Sequence, residues 1–197
     1  MRLILFMLLT AMGFIACKSK NETTITSEDG SVTAVLNTGK MESAAKEMQA
    51  KMEELKKLEP LSTDQVKSFF PQDLMGIKRS SVNVNSMMGF SVGEAEYREN
   101  DSTELKVSVY DVAGEAGSSI YGLQFWGAMN MQSESDDGYT KTVDFNGNKA
   151  IEKFDESSKA YELMFMAKDR LMVNVTGVNT TLDLVKQAAN RLHFDVQ

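Results

Sequence analysis

Asn146-Gly147, in the stretch YTKTVDFNGNKAIEKF, is the residue pair most favoured at the centre of a type I′ turn, where both positions need positive φ. A two-residue turn of this kind fixes the register of both flanking strands and decides which side chains share a face. Phe145 then stands opposite Asn148, Asp144 opposite Lys149, Lys141 opposite Glu152, and Tyr139 opposite Phe154. Two opposite-charge pairs and one aromatic pair agree with that register. A hairpin here is the firmest local element in the chain.

A second hairpin follows in AYELMFMAKDRLMVNVTG. If Lys168, Asp169 and Arg170 form a three-residue loop, Ala167 pairs with Leu171 and two faces separate. One carries Leu163, Phe165, Ala167, Leu171, Val173 and Val175; the other carries Glu162, Met164, Met166, Met172, Asn174 and Thr176. Upstream, SMMGFSVGEAEYRENDSTELKVSVYDVAG predicts two strands joined at 99–102, with Leu105, Val107 and Val109 on one face. SSIYGLQFWGAMNM is apolar round most of its circumference and predicts a buried helix starting near Ser118, followed by the acidic loop SESDDG.

Helices flank these strands. GKMESAAKEMQAKMEELKKLEP is rich in Ala, Glu, Lys and Met and closed by Pro60, which predicts an amphipathic helix over 40–59. Met41, Ala45, Met48, Met52 and Leu55 recur at spacings of four and three and form a narrow apolar stripe. Ser62 caps a short helix through Phe70 that turns Val66, Phe69 and Phe70 inward. A last helix from about Thr181 lines Leu182, Val185, Ala189 and Leu192 along one side. The fold class expected is therefore α+β. Its mainly antiparallel sheet comprises two strands, a helix, a four-strand meander and a C-terminal helix; helices cover it, and a long N-terminal helix precedes it. This order over 61–194 loosely resembles the PsbP-like α/β/α sandwich, and the resemblance carries no functional residue with it.

The N-terminus supplies an address. Leu3 to Ala16 run without a charge behind Arg2, too short to cross a bilayer and of signal-peptide length. Cys17, the only cysteine, follows Phe14, Ile15 and Ala16. This resembles the lipobox of bacterial lipoproteins, which implies cleavage before Cys17 and lipid on its sulfur. Plain secretion with cleavage after Gly13 is the rival, but it leaves an odd thiol in an oxidising compartment. The organisation expected is a signal peptide at 1–16, a lipid-anchored tether at 17–39, the Met-rich helix at 40–59 and a globular α+β domain at 60–197. Within the tether, TITSEDGSVTAV has the alternation of a hairpin about Asp29-Gly30. The location implied is a bacterial cell envelope, on a membrane and facing periplasm or exterior.

Composition narrows the chemistry. The formal charge is -7 and becomes more negative once Arg2 is removed, so phosphate backbones are repelled and nucleic acid is not an expected partner. With Cys17 acylated, His193 is the one imidazole left for nucleophilic or zinc chemistry, and its place at a helix C-terminus is explained by the dipole. Met129 with Met131, and Met164 with Met166, have spacings suited to soft metal, although methionine is more often an adaptable filler. Glu134, Asp136 and Asp137 lack the twelve-residue calcium loop. Glu94 and Glu96 share a strand face, as surface carboxylates often do. The expectation is a non-enzymatic accessory module without cofactor that meets a protein partner in the envelope. Its candidate ligand or partner surface is Met41, Met48, Met52, Met164, Met166 and Met172. A carrier of a small apolar ligand or metal in a Met-lined groove is the first alternative, and a hydrolase using paired carboxylates the second.

Overall fold

The computed structural model describes residues 22–26, 33–87, 89–100, 102–122 and 132–196; before Glu42, and for Ala44 and Met87, it describes the backbone element alone. The signal segment, Cys17, Met129 and Met131 lie outside the described residues. Strands β1 (Glu22–Thr26) and β2 (Thr33–Asn37) pair antiparallel as a separate two-stranded sheet within the stretch expected to be a tether. Then come α1 (Thr38–Lys56), α2 (Thr63–Ser68), β3 (Asp73–Leu74), β4 (Ile77–Met87), β5 (Phe90–Arg98), β6 (Glu104–Asp111) and α3 (Gly114–Ile120). They are followed by β7 (Gln132–Ser135), β8 (Gly138–Phe145), β9 (Asn148–Asp155), β10 (Ala160–Ala167), β11 (Leu171–Val178) and α4 (Leu182–Arg191).

Nine of these strands form one antiparallel sheet in the order β3-β4-β5-β6-β11-β10-β9-β8-β7. Two meanders, β3 to β6 and β7 to β11, are joined where β11 pairs with β6 from Leu171↔Asp111 to Val178↔Glu104. Local turn chemistry sets the registers. Asn146 and Gly147 take φ of 55° and 78°, and β8 pairs with β9 as the Asn-Gly turn requires, Tyr139↔Phe154 through Phe145↔Asn148. Lys168 and Asp169 take φ of 53° and 54° in the next loop, which leaves Ala167 opposite Leu171.

The expected fold class is corrected. The structure is mostly a nine-stranded antiparallel sheet with few helices, not a six-stranded α+β sheet clad in helices. The strands absent from the expectation are those at or next to the edges. β4 reads IKRSSVNVNSM, where serine and asparagine alternate with only Val82 and Val84 at its centre, and β7 lies in the stretch read as an acidic loop. An outer strand buries too little to need the strong alternation by which strands are recognised. A long helix set ahead of the domain is likewise not supported. Within α1 the side chains that define its role are Met48, Met52 and Leu55, and these belong to the packing of the sheet. The buried helix expected from Ser118 instead begins at Gly114, and 123–131 lie outside the described residues.

The two sheet faces carry different cores. On the first, Ala95, Leu105, Val107, Val109, Leu163 and Val175 are buried beneath α2 and α4. Ser62 Oγ accepts from the Gln65 N–H at 3.3 Å while the Ser62 N–H donates to Gln65 Oε1 at 2.9 Å, a capping box that starts α2. Thr181 Oγ1 accepts from the Leu184 N–H at 3.2 Å and starts α4. Both helices approach over a glycine. A Cβ on Gly93 would come within 2.5 Å of the Phe70 ring, and one on Gly177 would collide with Thr180 and Val185.

At one end of the sheet a buried ion pair joins distant segments. Arg170 donates from Nε to Asp111 Oδ1 at 3.0 Å and from Nη2 to Oδ2 at 2.8 Å, a bidentate pair with Asp111 wholly buried. Asp111 also accepts from the Leu61 N–H at 2.6 Å and the Ala113 N–H at 3.3 Å, and Arg170 Nη2 donates to the Glu59 carbonyl at 2.8 Å. Ser91 Oγ completes the set by donating to the Leu61 carbonyl at 2.6 Å. Removing one member strands a desolvated charge, so Asp111→Ala is expected to lower stability by about 3–5 kcal/mol, whereas an apolar pair at Asp111 and Arg170 costs less. Denaturant unfolding of the two variants checks this; equal losses would show that the hydrogen bonds to Leu61 and Ala113, not the stranded charge, dominate.

Candidate functional site

The second face of the sheet is built from thioethers. Inward-facing positions of β10 and β11 place Met166 opposite Met172, and Tyr110 of β6 stands on the other side of Met172. In the neighbouring row Met164 lies between Ile151 and Asn174. Met172 is fully buried, and Met164 and Met166 are half-buried. Met48, Met52 and Leu55 of α1 pack onto them with Val112, Ile120 and Tyr121 from the segment around α3. Gly122 lets α1 come close: a Cβ there would sit 3.1 Å from Met52 Sδ. The thioethers expected as a ligand or partner surface are thus brought together across the α1–sheet interface, all but Met41, whose side chain lies outside the described residues.

The margin of this patch is polar. Asn174 Nδ2 donates to Glu162 Oε1 at 2.9 Å, while Asn174 Oδ1 is buried with no hydrogen-bond partner among the described residues. A buried acceptor left unpaired costs about 1–3 kcal/mol and calls for a donor. Across the sheet Ser108 is paired with Asn174 and Glu94 with Ser108, and Lys106 Nζ holds Glu94 at 2.9 Å. The arrangement is an apolar, polarisable floor with one unsatisfied acceptor at its rim. It suits binding of an apolar surface that carries an N–H or O–H.

A second buried carboxylate lies on the opposite face. Glu152 is 1% exposed; it accepts from Tyr139 Oη at 2.9 Å and is held by Lys141 Nζ at 3.0 Å and by Lys186 Nζ of α4 at 2.7 Å. Burial pushes its carboxyl up, but the bonds from Lys186, Lys141 and Tyr139 outweigh this and leave it below its ordinary 4.5. Burial first, and then the bond to Glu152, raise the Tyr139 phenol well above its ordinary value. Every group here is paired, so the cluster fastens α4 to the sheet and offers no free acid or base. The sequence shows Lys141 opposite Glu152, but Lys186 comes from a distant helix and the burial from tertiary packing.

The other candidates stay apart. His193 is exposed, with Nδ1 2.8 Å from the Arg191 carbonyl oxygen. Glu96 pairs with Arg98 at 3.1 Å, and Glu94 with Lys106, so the two carboxylates are neutralised separately. Glu134, Asp136 and Asp137 lie exposed on β7 and its turn, and among the described residues no three His, Cys, Asp or Glu are grouped to hold a metal. An open hollow of about 170 Å³ beside them is lined by Ser133, Ser135, Tyr139, Lys153 and Asp155. It is smaller than the roughly 300–1,000 Å³ typical of ligand pockets. Comparison of the chain with family models, curated proteins and solved structures gives no match.

The Glu152 cluster makes stability pH-dependent with a fixed sign. A carboxyl whose folded value is lowered stabilises above its unfolded value, near 4.5, and that contribution disappears as pH falls through the folded value. Tyr139, raised in the fold, stabilises below its ordinary 10.0 and loses its contribution as pH rises beyond it. Glu152→Gln is expected to lower stability at pH 7 by about 1–3 kcal/mol and to flatten the acid limb. Thermal melts from pH 3 to 8 test this; an unchanged acid limb would assign it to other carboxylates.

Proposed function

We propose that this chain is a non-enzymatic accessory module of a bacterial envelope, anchored through lipid on Cys17, that binds a protein partner on the methionine-lined face of its sheet. The observation that carries the reading is that face: five thioethers meeting across the α1 interface, with Asn174 Oδ1 unpaired at its margin. Methionine tolerates exchange of one apolar neighbour for another because its chain is flexible and its sulfur polarisable. α1 contributes one buried leucine and two half-buried methionines to this face, and its outer side is covered by exposed Lys–Glu pairs such as Lys46–Glu42. A partner's apolar segment that takes the place of α1 gains the same floor and can bring a donor to Asn174 Oδ1, which has none among the described residues.

The anchor rests on the resemblance of 14–17 to a lipobox and on the unpaired cysteine. Two acyl chains suffice for stable attachment, which a diacylglyceryl cysteine provides. Mass spectrometry of the native chain is expected to find Cys17 as a lipid-modified N-terminus; an unmodified thiol, or a chain beginning at Phe14, overturns the anchor. Capture of partners from detergent-solubilised envelope tests the face. Met48→Ser with Met52→Ser weakens α1 docking, speeds hydrogen exchange across 42–56 while β10 and β11 stay protected, and is expected to raise capture. Faster exchange without increased capture would remove this face as the binding surface.

A further inference from the structure

The two edges of the large sheet are built in opposite ways. β7 is four residues long, carries Glu134 and runs into Asp136-Asp137, a short acidic edge of the kind that discourages strand addition. β4 is eleven residues long. β3 covers only its first two residues, at Lys78 and Ile77, and the Arg79 N–H donates to the Gln72 carbonyl at 2.9 Å. Beyond a register shift between Arg79 and Ser81, the outer side of β4 from Ser80 to Ser86 pairs with no strand among the described residues. That stretch, SSVNVNS, has no charge, no proline and no glycine. Apart from the shift at its start, the stretch itself carries none of the charges or prolines that blunt an edge.

We infer that this edge is a site of strand addition and that its occupant is the same edge of a second copy of this chain. The sequence of the edge selects the occupant. Antiparallel self-pairing about a two-fold axis through Asn83 sets Val82 opposite Val84 of the partner copy and Val84 opposite its Val82. It also sets Ser81 opposite Asn85, Ser80 opposite Ser86, and Asn83 opposite itself. Apolar meets apolar and uncharged polar meets uncharged polar at every position, so no like charges are juxtaposed across the join. Antiparallel partners share a face, so Val82 and Val84, half-buried at the rim of the first core, extend that core from copy to copy. Asn83 and Asn85, exposed on the other face, meet amide and hydroxyl groups there. A foreign strand would gain the same backbone bonds but not the matched side chains. The net charge of -7 on each copy opposes association at long range, so salt is expected to favour it.

Disulfide trapping of the full-length chain in a Cys17→Ser background tests register and occupant together. Opposed residues of antiparallel strands have Cα atoms about 4.5–5.5 Å apart, within the reach of a disulfide. Asn83→Cys is therefore expected to give a covalent dimer under mild oxidation of the purified protein. Ser81→Cys alone gives about tenfold less, and the double variant Ser81→Cys, Asn85→Cys cross-links again. Asn83→Lys places like charges on the axis and is expected to abolish the dimer in sedimentation velocity with an unchanged melting temperature. Failure of Asn83→Cys to cross-link, equal trapping by Asn83→Cys and Ser81→Cys, or trapping that needs envelope extract would each overturn the inference.

Discussion

The pair formed by Asp111 and Arg170 is the constraint on which the architecture turns. Asp111 ends β6, in the first meander, and Arg170 closes the loop before β11, in the second. Their bidentate bond fixes the strand pair that fuses the meanders, beginning with Leu171 opposite Asp111. The pair also holds the chain between α1 and α2: the Leu61 N–H donates to Asp111, and Arg170 donates to the Glu59 carbonyl. α1 lies on the methionine face and α2 on the other, so the backbone rounds the end of the sheet at this point. Desolvating both ions is costly, and three further backbone groups offset that cost: the Leu61 and Ala113 N–H groups donate to Asp111, and the Glu59 carbonyl accepts from Arg170.

The faces separated by that crossing follow different packing rules. Valine, leucine and phenylalanine fill the first, and α2 and α4 are seated on it over glycines that admit no side chain. Branched side chains with few rotamers fit one arrangement well and tolerate others poorly. Methionine, tyrosine and isoleucine fill the second, where the closest approach over Gly122 is to the flexible end of Met52. Exchange of one packed apolar neighbour for another is therefore physically easier on the second face, where Asn174 Oδ1 is also without a hydrogen-bond partner among the described residues.

Strands with strong local signals were legible in the sequence, and those defined by their neighbours were not. The Asn146-Gly147 turn gave every pair from Tyr139↔Phe154 inward, because two positive-φ residues specify one turn and the turn specifies the register. The loop at 168–170 separated the valine face from the methionine face in the same way. β4 and β7 escaped recognition because an outer strand needs few apolar residues, and that lack of alternation is the feature by which strands are read. The candidate site was legible in part: Met48, Met52, Met164, Met166 and Met172 could be placed on two amphipathic faces, but the burial of Asn174 Oδ1 without a partner among the described residues depends on tertiary packing that the sequence does not display. Asp111, Arg170 and Lys186 left no trace, since side chains 34 to 59 residues from their partners meet only through tertiary structure.

Among the described residues the two buried carboxylates, Asp111 and Glu152, lie on the first face and tie an overlying segment to it, yet they respond differently to salt. Arg170 reaches Asp111 almost wholly out of water, so counter-ions have little access and the planar fork keeps both bonds in one geometry. Lys141 and Lys186 reach Glu152 with side chains that are 44% and 35% exposed, so salt screens these pairs more than the Asp111–Arg170 pair. Falling pH removes the negative charge that both lysines hold. α4 is therefore tied to the sheet by a contact that weakens with acid and with salt, while the crossing between the faces is fixed by one shielded from salt. Loosening by salt is expected to begin at α4 and leave the fusion of the two meanders intact.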